Sequence, residues 1–380
     1  MSGIKTLHIL PDDNAPYIEL CNHYLKYFNQ SKFDSTVLYF IGYKNLDTRN
    51  QTNVEKIIFW ELHGTSLTLT YENLTRFYEL MKNKKYDVVV CHSHASLMMA
   101  CLVSILIPTY KIIGISYKKG DFSSWFKNIL IFLCKKRVRL LGVLKSIRLD
   151  IRKNLKTMMP AGYIHTSHLS LDYKKIRDAR LSKENAKIKL NIKSGHFIIG
   201  VKHESGVDLD IVSILTAFSY ARKKIKHGVL VVFCERKHQK VIYEQAKALF
   251  IESAVVFKYE LNSFSDYFRA FECIILTCNQ DKMSVSLLQS MASGLPVITP
   301  DSPASIEYIG NAGYLYDSED AYQLTHYLEL IYKMSPEKKM RLKTKIFAQI
   351  NKHYTAKVCR EKFLALPKVK EFLYKDLKKK

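Results

Sequence analysis

The sequence predicts an α/β protein made of two doubly wound parallel sheets. Three observations lead there: short, continuously apolar runs alternate with longer amphipathic ones; the rhythm stops at a polar stretch and then restarts; and 380 residues exceed what one hydrophobic core usually organises. Strands that are apolar throughout and separated by helices belong to a parallel sheet covered on both faces.

In the first half, KTLHIL (5–10), STVLYFIG (35–42), KIIFWEL (56–62) and YDVVVCHSH (86–94) read as strands. PYIELCNHYLKYF (16–28) and NLTRFYELMKNKK (73–85) carry the helical period between them. SLMMACLVSILIP (97–109) reads as a core helix, too short to cross a bilayer. The rhythm breaks near residues 178–194, which are polar and charged. It resumes with HFIIGVK (196–202), GVLVVFC (228–234), SAVVFK (253–258), CIILTC (273–278) and LPVITP (295–300). The expected domains are therefore 1–178 and 190–352, with a helical segment 353–380 packing back on the first. In such sheets ligands bind at the carboxyl ends of the strands, so the expected site is a cleft between the domains.

Lys and Arg number 59 against 35 Asp and Glu, a formal charge of +24 that draws polyanions. Nucleic acid, an anionic membrane and a phosphate-bearing substrate all fit that field. No helix-turn-helix, zinc-finger, RRM or KH signature accompanies the basic residues, so nucleic acid is not the expected partner. The eight cysteines form no C-x-x-C pair and lie mostly in apolar runs, as buried thiols of a reducing compartment do. MSGIKTLHILPDDNAP is interrupted by polar residues too early for a signal peptide, so the expected location is cytoplasmic.

Residues 263–316 contain LLQSMASGLPVIT (287–299) followed by IEYIGNAGYLY. This segment resembles the donor-binding segment of the retaining family-4 (group 1) glycosyltransferases, whose architecture is GT-B. In that family an acid precedes, and a second acid opens, an EAMA-x-G-x-P-V stretch. Here Asp281 stands at the first acid and Gln289 replaces the second, with the spacing kept. The resemblance implies that Asp281 contacts the donor sugar and Gln289 holds the ribose. An amide can bond a ribose hydroxyl, but without the charge that strengthens such bonds. Lys282, Met283 and Ser284 lie between them, and Ser284 suits the N-cap of a helix whose free N–H groups favour a diphosphate. Glu307 occupies the place of the family's later acid.

Elsewhere the resemblance is thinner. CHSHASLMMACLV (91–103) looks like the family's H-x-H loop, implying cleft roles for His92 and His94, the latter catalytic. PDDNAPY (11–17) replaces the family's glycine pair and brings Asp13 and Asn14 toward the acceptor. Tyr117 stands where a histidine is usual, and Lys202 or His203 must serve the donor phosphates in place of the family's Arg and Lys. Two histidines alone do not make a metal site, and the sequence places no third ligand, so neither metal nor cofactor is expected.

The implied reaction is a front-face displacement in which the leaving diphosphate helps take the acceptor proton and the protein positions the reactants and stabilises charge. The implied partners are a nucleotide sugar and a lipid-linked or saccharide acceptor, in surface polysaccharide or lipopolysaccharide assembly. Trp125 and Phe126, beside Lys135, Lys136 and Arg137, predict a basic amphipathic helix over 122–139 on the inner face of an anionic membrane. Two other readings share the fold: a nucleotide-sugar 2-epimerase and a non-catalytic GT-B subunit, the latter suggested by Gln289 and Tyr117.

Overall fold

A computed structural model describes residues 3–13, 15–28, 33–43, 46–62, 69–170, 173–178, 180–203, 208–259, 261–277, 284–366 and 369. The chain divides into two compact units. Unit 1 comprises Met1–Ser170 with Ala356–Lys380, and unit 2 comprises Leu171–Thr355.

Unit 1 runs β1 (Ile4–Leu10), α1 (Ala15–Leu25), β2 (Phe33–Tyr39), α2 (Leu46–Gln51), β3 (Lys56–Phe59), α3 (Tyr71–Lys84), β4 (Val88–Cys91), α4 (His94–Leu106), β5 (Lys111–Ser116), α5 (Trp125–Leu133), β6 (Val138–Gly142), α6 (Lys145–Asn154) and β7 (Ile164–Thr166). Its sheet has the order β3-β2-β1-β4-β5-β6-β7, every pair parallel. Unit 2 runs α7 (Tyr173–Asp178), α8 (Lys183–Leu190), β8 (Phe197–Lys202), α9 (Asp208–Ala221), β9 (Gly228–Phe233), α10 (Arg236–Ala248), β10 (Val255–Lys258), β11 (Cys273–Leu276), α11 (Val285–Met291), β12 (Val297–Pro300), α12 (Pro303–Ile309), β13 (Tyr314–Tyr316), α13 (Ala321–Tyr332) and α14 (Pro336–His353). Its order is β10-β9-β8-β11-β12-β13, again all parallel. The expected α/β class with two doubly wound sheets is what the structure shows.

The apolar runs explain the burial. β4 (VVVC) and β9 (GVLVVF) are buried at every residue because helices cover both faces of their sheets. In each sheet the strand order reverses once, at β1/β4 in unit 1 and at β8/β11 in unit 2. At such a point the connections leave in opposite directions and open a crevice beyond the carboxyl ends of the strands.

The last described helix, α15 (Ala356–Ala365), belongs to unit 1. Phe363 lies 5.3 Å from the ring of Tyr27, 5.9 Å from Phe28 and 6.5 Å from Tyr24. Buried tyrosines need partners for their hydroxyls, and here Tyr24 donates to the Ser167 carbonyl and Tyr27 to that of His168, each at 3.1 Å.

The polar stretch near 178–194 is a surface helix of unit 2. Only Ala186 and Leu190 of α8 are buried, Ser182 caps its start by accepting from Asn185 N–H at 3.1 Å, and Asn191 ends it in the left-handed region. The division between the units falls upstream of this stretch, between Ser170 and Leu171.

The expected helix over 122–139 needs correction. α5 stops at Leu133, and residues 138–142 form β6, a buried strand between β5 and β7. The basic residues 135–137 mark a turn, and VRLLG after them is a short apolar run of strand type. Arg139 is tolerated in it because its guanidinium stands 3.8 Å over the Tyr163 ring and donates to the Val138 carbonyl. Among the described residues no helix is long and apolar enough to cross a membrane.

Candidate active site

In unit 2 the switch point joins the ends of three strands. His203 N–H donates to the Phe233 carbonyl at 2.9 Å, and Thr277 N–H donates to the Lys202 carbonyl at 3.2 Å. The Lys202 ammonium lies 5.9 Å from the Phe264 ring, and the buried His203 ring meets His238 edge-on at 5.3 Å. Asp281, Lys282 and Met283 follow Thr277 and lie outside the described residues.

The chain returns at Ser284, which is buried and caps α11 by accepting from Leu287 N–H at 3.2 Å. α11 presents Leu287, Leu288 and Met291 to the core and leaves Gln289 half-buried. Its far end is fixed by Gly294, whose φ of 72° few other residues adopt, and by Arg180, which donates to the Ala292 carbonyl at 2.8 Å. β12 then leads to α12, capped by Ser302 and opened by Pro303. Glu307 is half-buried on α12, and its carbonyl accepts from the Tyr354 hydroxyl at 2.7 Å. Two short capped helices on adjacent strands thus hold Ser284, Gln289 and Glu307.

In unit 1 the residues named by sequence separate into two groups. His92 follows β4, donates its N–H to the Ile9 carbonyl at 3.0 Å, and is 1% exposed. Its Nδ1 lies 2.7 Å from the Tyr117 hydroxyl with the two rings stacked at 11°, and its Nε2 lies 3.2 Å from Nδ1 of His8. His94 lies two residues further along the chain. It starts α4, behind a Ser93–Ser96 capping box, and its ring meets Phe122 edge-on at 5.3 Å. Asp13 is half-buried and accepts from the Thr48 hydroxyl at 3.1 Å. Its carboxylate lies over Gly42, where φ is +127° and an added Cβ would stand 2.5 Å from Asp13 Cγ. Asn14 lies outside the described residues.

The sequence reading missed His8 and Cys21. Both looked like core positions, one inside the KTLHIL strand and one on the apolar face of α1. The strand alternation puts His8 on the same face as Leu10, which packs with Cys21 under α1. The donor atoms of His8, Cys21 and His92 all lie within 4.8 Å of one another. Burial pushes His8 down to about 3 and His92 well below the ordinary imidazole range, and it raises the Cys21 thiol, so the cluster is neutral.

Trp125 and Phe126 on α5 are 57% and 69% exposed, Leu133 is 63% exposed, and Leu106 at the end of α4 is 71% exposed. Ile131 turns inward. Of the basic residues beyond, Lys136 is exposed, Lys135 stands 4.1 Å over the Phe132 ring, and Arg137 donates to the Ser104 carbonyl near the end of α4.

Residues 182–348, nearly all of unit 2, match the family described as glycosyl transferases group 1. In this stretch the chain is similar to the group 1 glycosyl transferases. The match spans the switch point of unit 2 and contains Lys202, His203, Asp281, Ser284, Gln289 and Glu307. No curated protein sequence matches the chain. Among solved structures, a glycosyltransferase from Rickettsia africae superposes with a TM-score of 0.80 at 14% identity, covering 100% of both chains. HepE of Anabaena in complex with UDP and glucose follows with a TM-score of 0.72 at 13% identity, covering 94% of this chain and 98% of that one. A Listeria monocytogenes protein assigned as a UDP-N-acetylglucosamine 2-epimerase reaches 0.69 at 12% identity, covering 98% of each. These likenesses give the fold, two Rossmann-like units of the GT-B kind. Fold alone does not separate transferase from epimerase.

Proposed function

We propose that this chain is a retaining, metal-independent hexosyltransferase that moves a sugar from a nucleotide donor to a lipid-linked or saccharide acceptor. The carrying observation is that the group 1 match spans the switch point of unit 2, the place where an open parallel sheet takes its ligand. Lys202 and His203 at the end of β8 meet the donor phosphates, Asp281 the sugar, and Gln289 the ribose. Asp13, His92, His94 and Tyr117 of unit 1 serve the acceptor side. Chemistry rests on positioning and charge stabilisation, the departing diphosphate assisting removal of the acceptor proton. HepE, crystallised with UDP-glucose, makes UDP-sugars the first donors to test. In a thermal-shift panel of UDP-, GDP- and dTDP-sugars, a donor at 100 times its Kd should stabilise the fold by about 2.7 kcal/mol. A flat response to every donor would sink the reading.

The donor assignment yields a sharper expectation. Gln289→Ala should weaken donor binding by about 0.5–1.5 kcal/mol, the worth of a neutral hydrogen bond, and Asp281→Ala by more, because a charged acceptor is lost. Gln289→Glu should preserve or raise affinity. Calorimetry that finds all three variants equal to the parent would move the site elsewhere.

The acceptor is reached at a membrane, on this reading, through the exposed apolar end of α4 and α5, which sets the protein on the inner face of the cytoplasmic membrane during surface polysaccharide or lipopolysaccharide assembly. Burying one large apolar side chain is worth about 1.5–3 kcal/mol, so Trp125→Ala or Phe126→Ala should each lower liposome partitioning about tenfold or more. Lys136→Glu tests the basic rim cleanly, since Lys135 and Arg137 also hold local structure. Flotation that ignores all three changes would exclude this surface.

The epimerase reading is kept alive by the Listeria likeness. Release of an epimerised nucleotide sugar in the absence of any acceptor would favour it.

A further inference from the structure

We propose that unit 1 holds a zinc ion on His8, Cys21 and His92, at the switch point of its sheet. The site is separate from donor binding in unit 2; it shares His92 and Tyr117 with the proposed acceptor side, so its test reads metal content and ligand shell rather than sugar transfer. His8 comes from β1, Cys21 from α1 and His92 from the loop after β4, so the first βα unit and the neighbouring strand end converge on one point.

Geometry carries the inference. Ligand atoms about 2.0–2.1 Å from a tetrahedral zinc stand roughly 3.3 Å apart, and thiolate sulfur stands roughly 3.6 Å from each nitrogen. Nδ1 of His8 and Nε2 of His92 are already 3.2 Å apart. The three donor atoms fall within 4.8 Å, so each sulfur–nitrogen distance needs to close by no more than about 1.2 Å to complete that face of the tetrahedron. A thiolate with two imidazoles is a donor set suited to zinc. The three residues are 0%, 0% and 1% exposed, so the set is built into the core.

The surroundings fit as well. His92 keeps its other nitrogen on the Tyr117 hydroxyl at 2.7 Å, the kind of outer partner that fixes a ligating imidazole's orientation. Nε2 of His8 is buried and meets no hydrogen-bond partner among the described residues, so it can carry the imidazole proton while Nδ1 binds the ion. Binding then exchanges one proton: the Cys21 S–H bond breaks, the sulfur–zinc bond forms, and the proton leaves to solvent. Three protein ligands leave a fourth position, for which the described residues offer no further His, Cys, Asp or Glu. It falls to water or to a ligand entering the switch point.

The test uses untagged full-length protein made in zinc-supplemented medium and passed through a desalting column. Elemental analysis should find one zinc per chain, and X-ray absorption should show one sulfur at about 2.3 Å with two nitrogens at about 2.0–2.1 Å. Cobalt-loaded protein should show a thiolate-to-cobalt charge-transfer band that Cys21→Ser abolishes and Cys273→Ser, in unit 2, does not. Tyr117→Phe should weaken zinc about 10–100-fold without changing the ligand shell. Protein without stoichiometric zinc, or a zinc shell lacking sulfur, would overturn the site, and this holds for the parent protein even if Cys21→Ser does not fold.

Discussion

Phe363→Ala should lower the stability of unit 1 by about 3–5 kcal/mol, the usual cost of deleting a buried aromatic ring. Phe363 is 1% exposed and lies against Tyr24, Tyr27 and Phe28, which are themselves buried. Its loss leaves a cavity and also weakens the hold of α15, which returns to unit 1 after the whole of unit 2. The measurement is simple because both tryptophans, Trp60 and Trp125, belong to unit 1. Trp60 packs on Phe40 at 5.3 Å and under Arg76 at 4.9 Å, so its fluorescence reports the unit's folding. The fluorescence midpoint in urea should fall while the portion of circular dichroism due to unit 2 melts as before. A shift below about 1 kcal/mol would mean that α15 contributes little to unit 1.

Gly142→Ala should also be costly, at or above the upper end of the about 1–3 kcal/mol typical of overpacking. A methyl group at the end of β6 would stand 2.5 Å from the backbone nitrogen of Arg148 and 3.0 Å from its Cα. No flexible side chain can yield there, so α6 must move, lifting Ile147 and Ile151 out of the core. Gly162→Ala, where an added Cβ meets nothing within 4 Å, is the matched control and should be nearly neutral. Equal melting temperatures for the two variants would contradict the close strand–helix contact.

The sheets were legible because burial on both faces writes itself into the sequence as continuous apolar runs. Every strand named in the reading forms, from KTLHIL to LPVITP. β6 was hidden because its one charged residue, Arg139, finds an aromatic face, and basic neighbours made the segment read as helix. β7 and β13 have three residues each, too few to show a period. In the candidate site, the segment around Gln289 was readable because its spacing lies within one stretch of chain. The His8, Cys21 and His92 cluster was not, since its members are far apart in sequence and each, taken alone, resembles core. Tyr117 illustrates the same limit: in sequence it is a lost histidine, whereas in the fold its hydroxyl is the partner of His92.

The return of α15 to unit 1 bears on how the protein is made. Unit 2 is one continuous stretch, Leu171–Thr355, and can finish its sheet as soon as that stretch has emerged from the ribosome. Unit 1 begins first and cannot finish until Phe363 is synthesised, although domains generally fold in the order of their synthesis. For the time needed to translate all of unit 2, the rings of Tyr24, Tyr27 and Phe28 wait without their cover, so the half of the molecule made earliest is the half that depends longest on protection from aggregation.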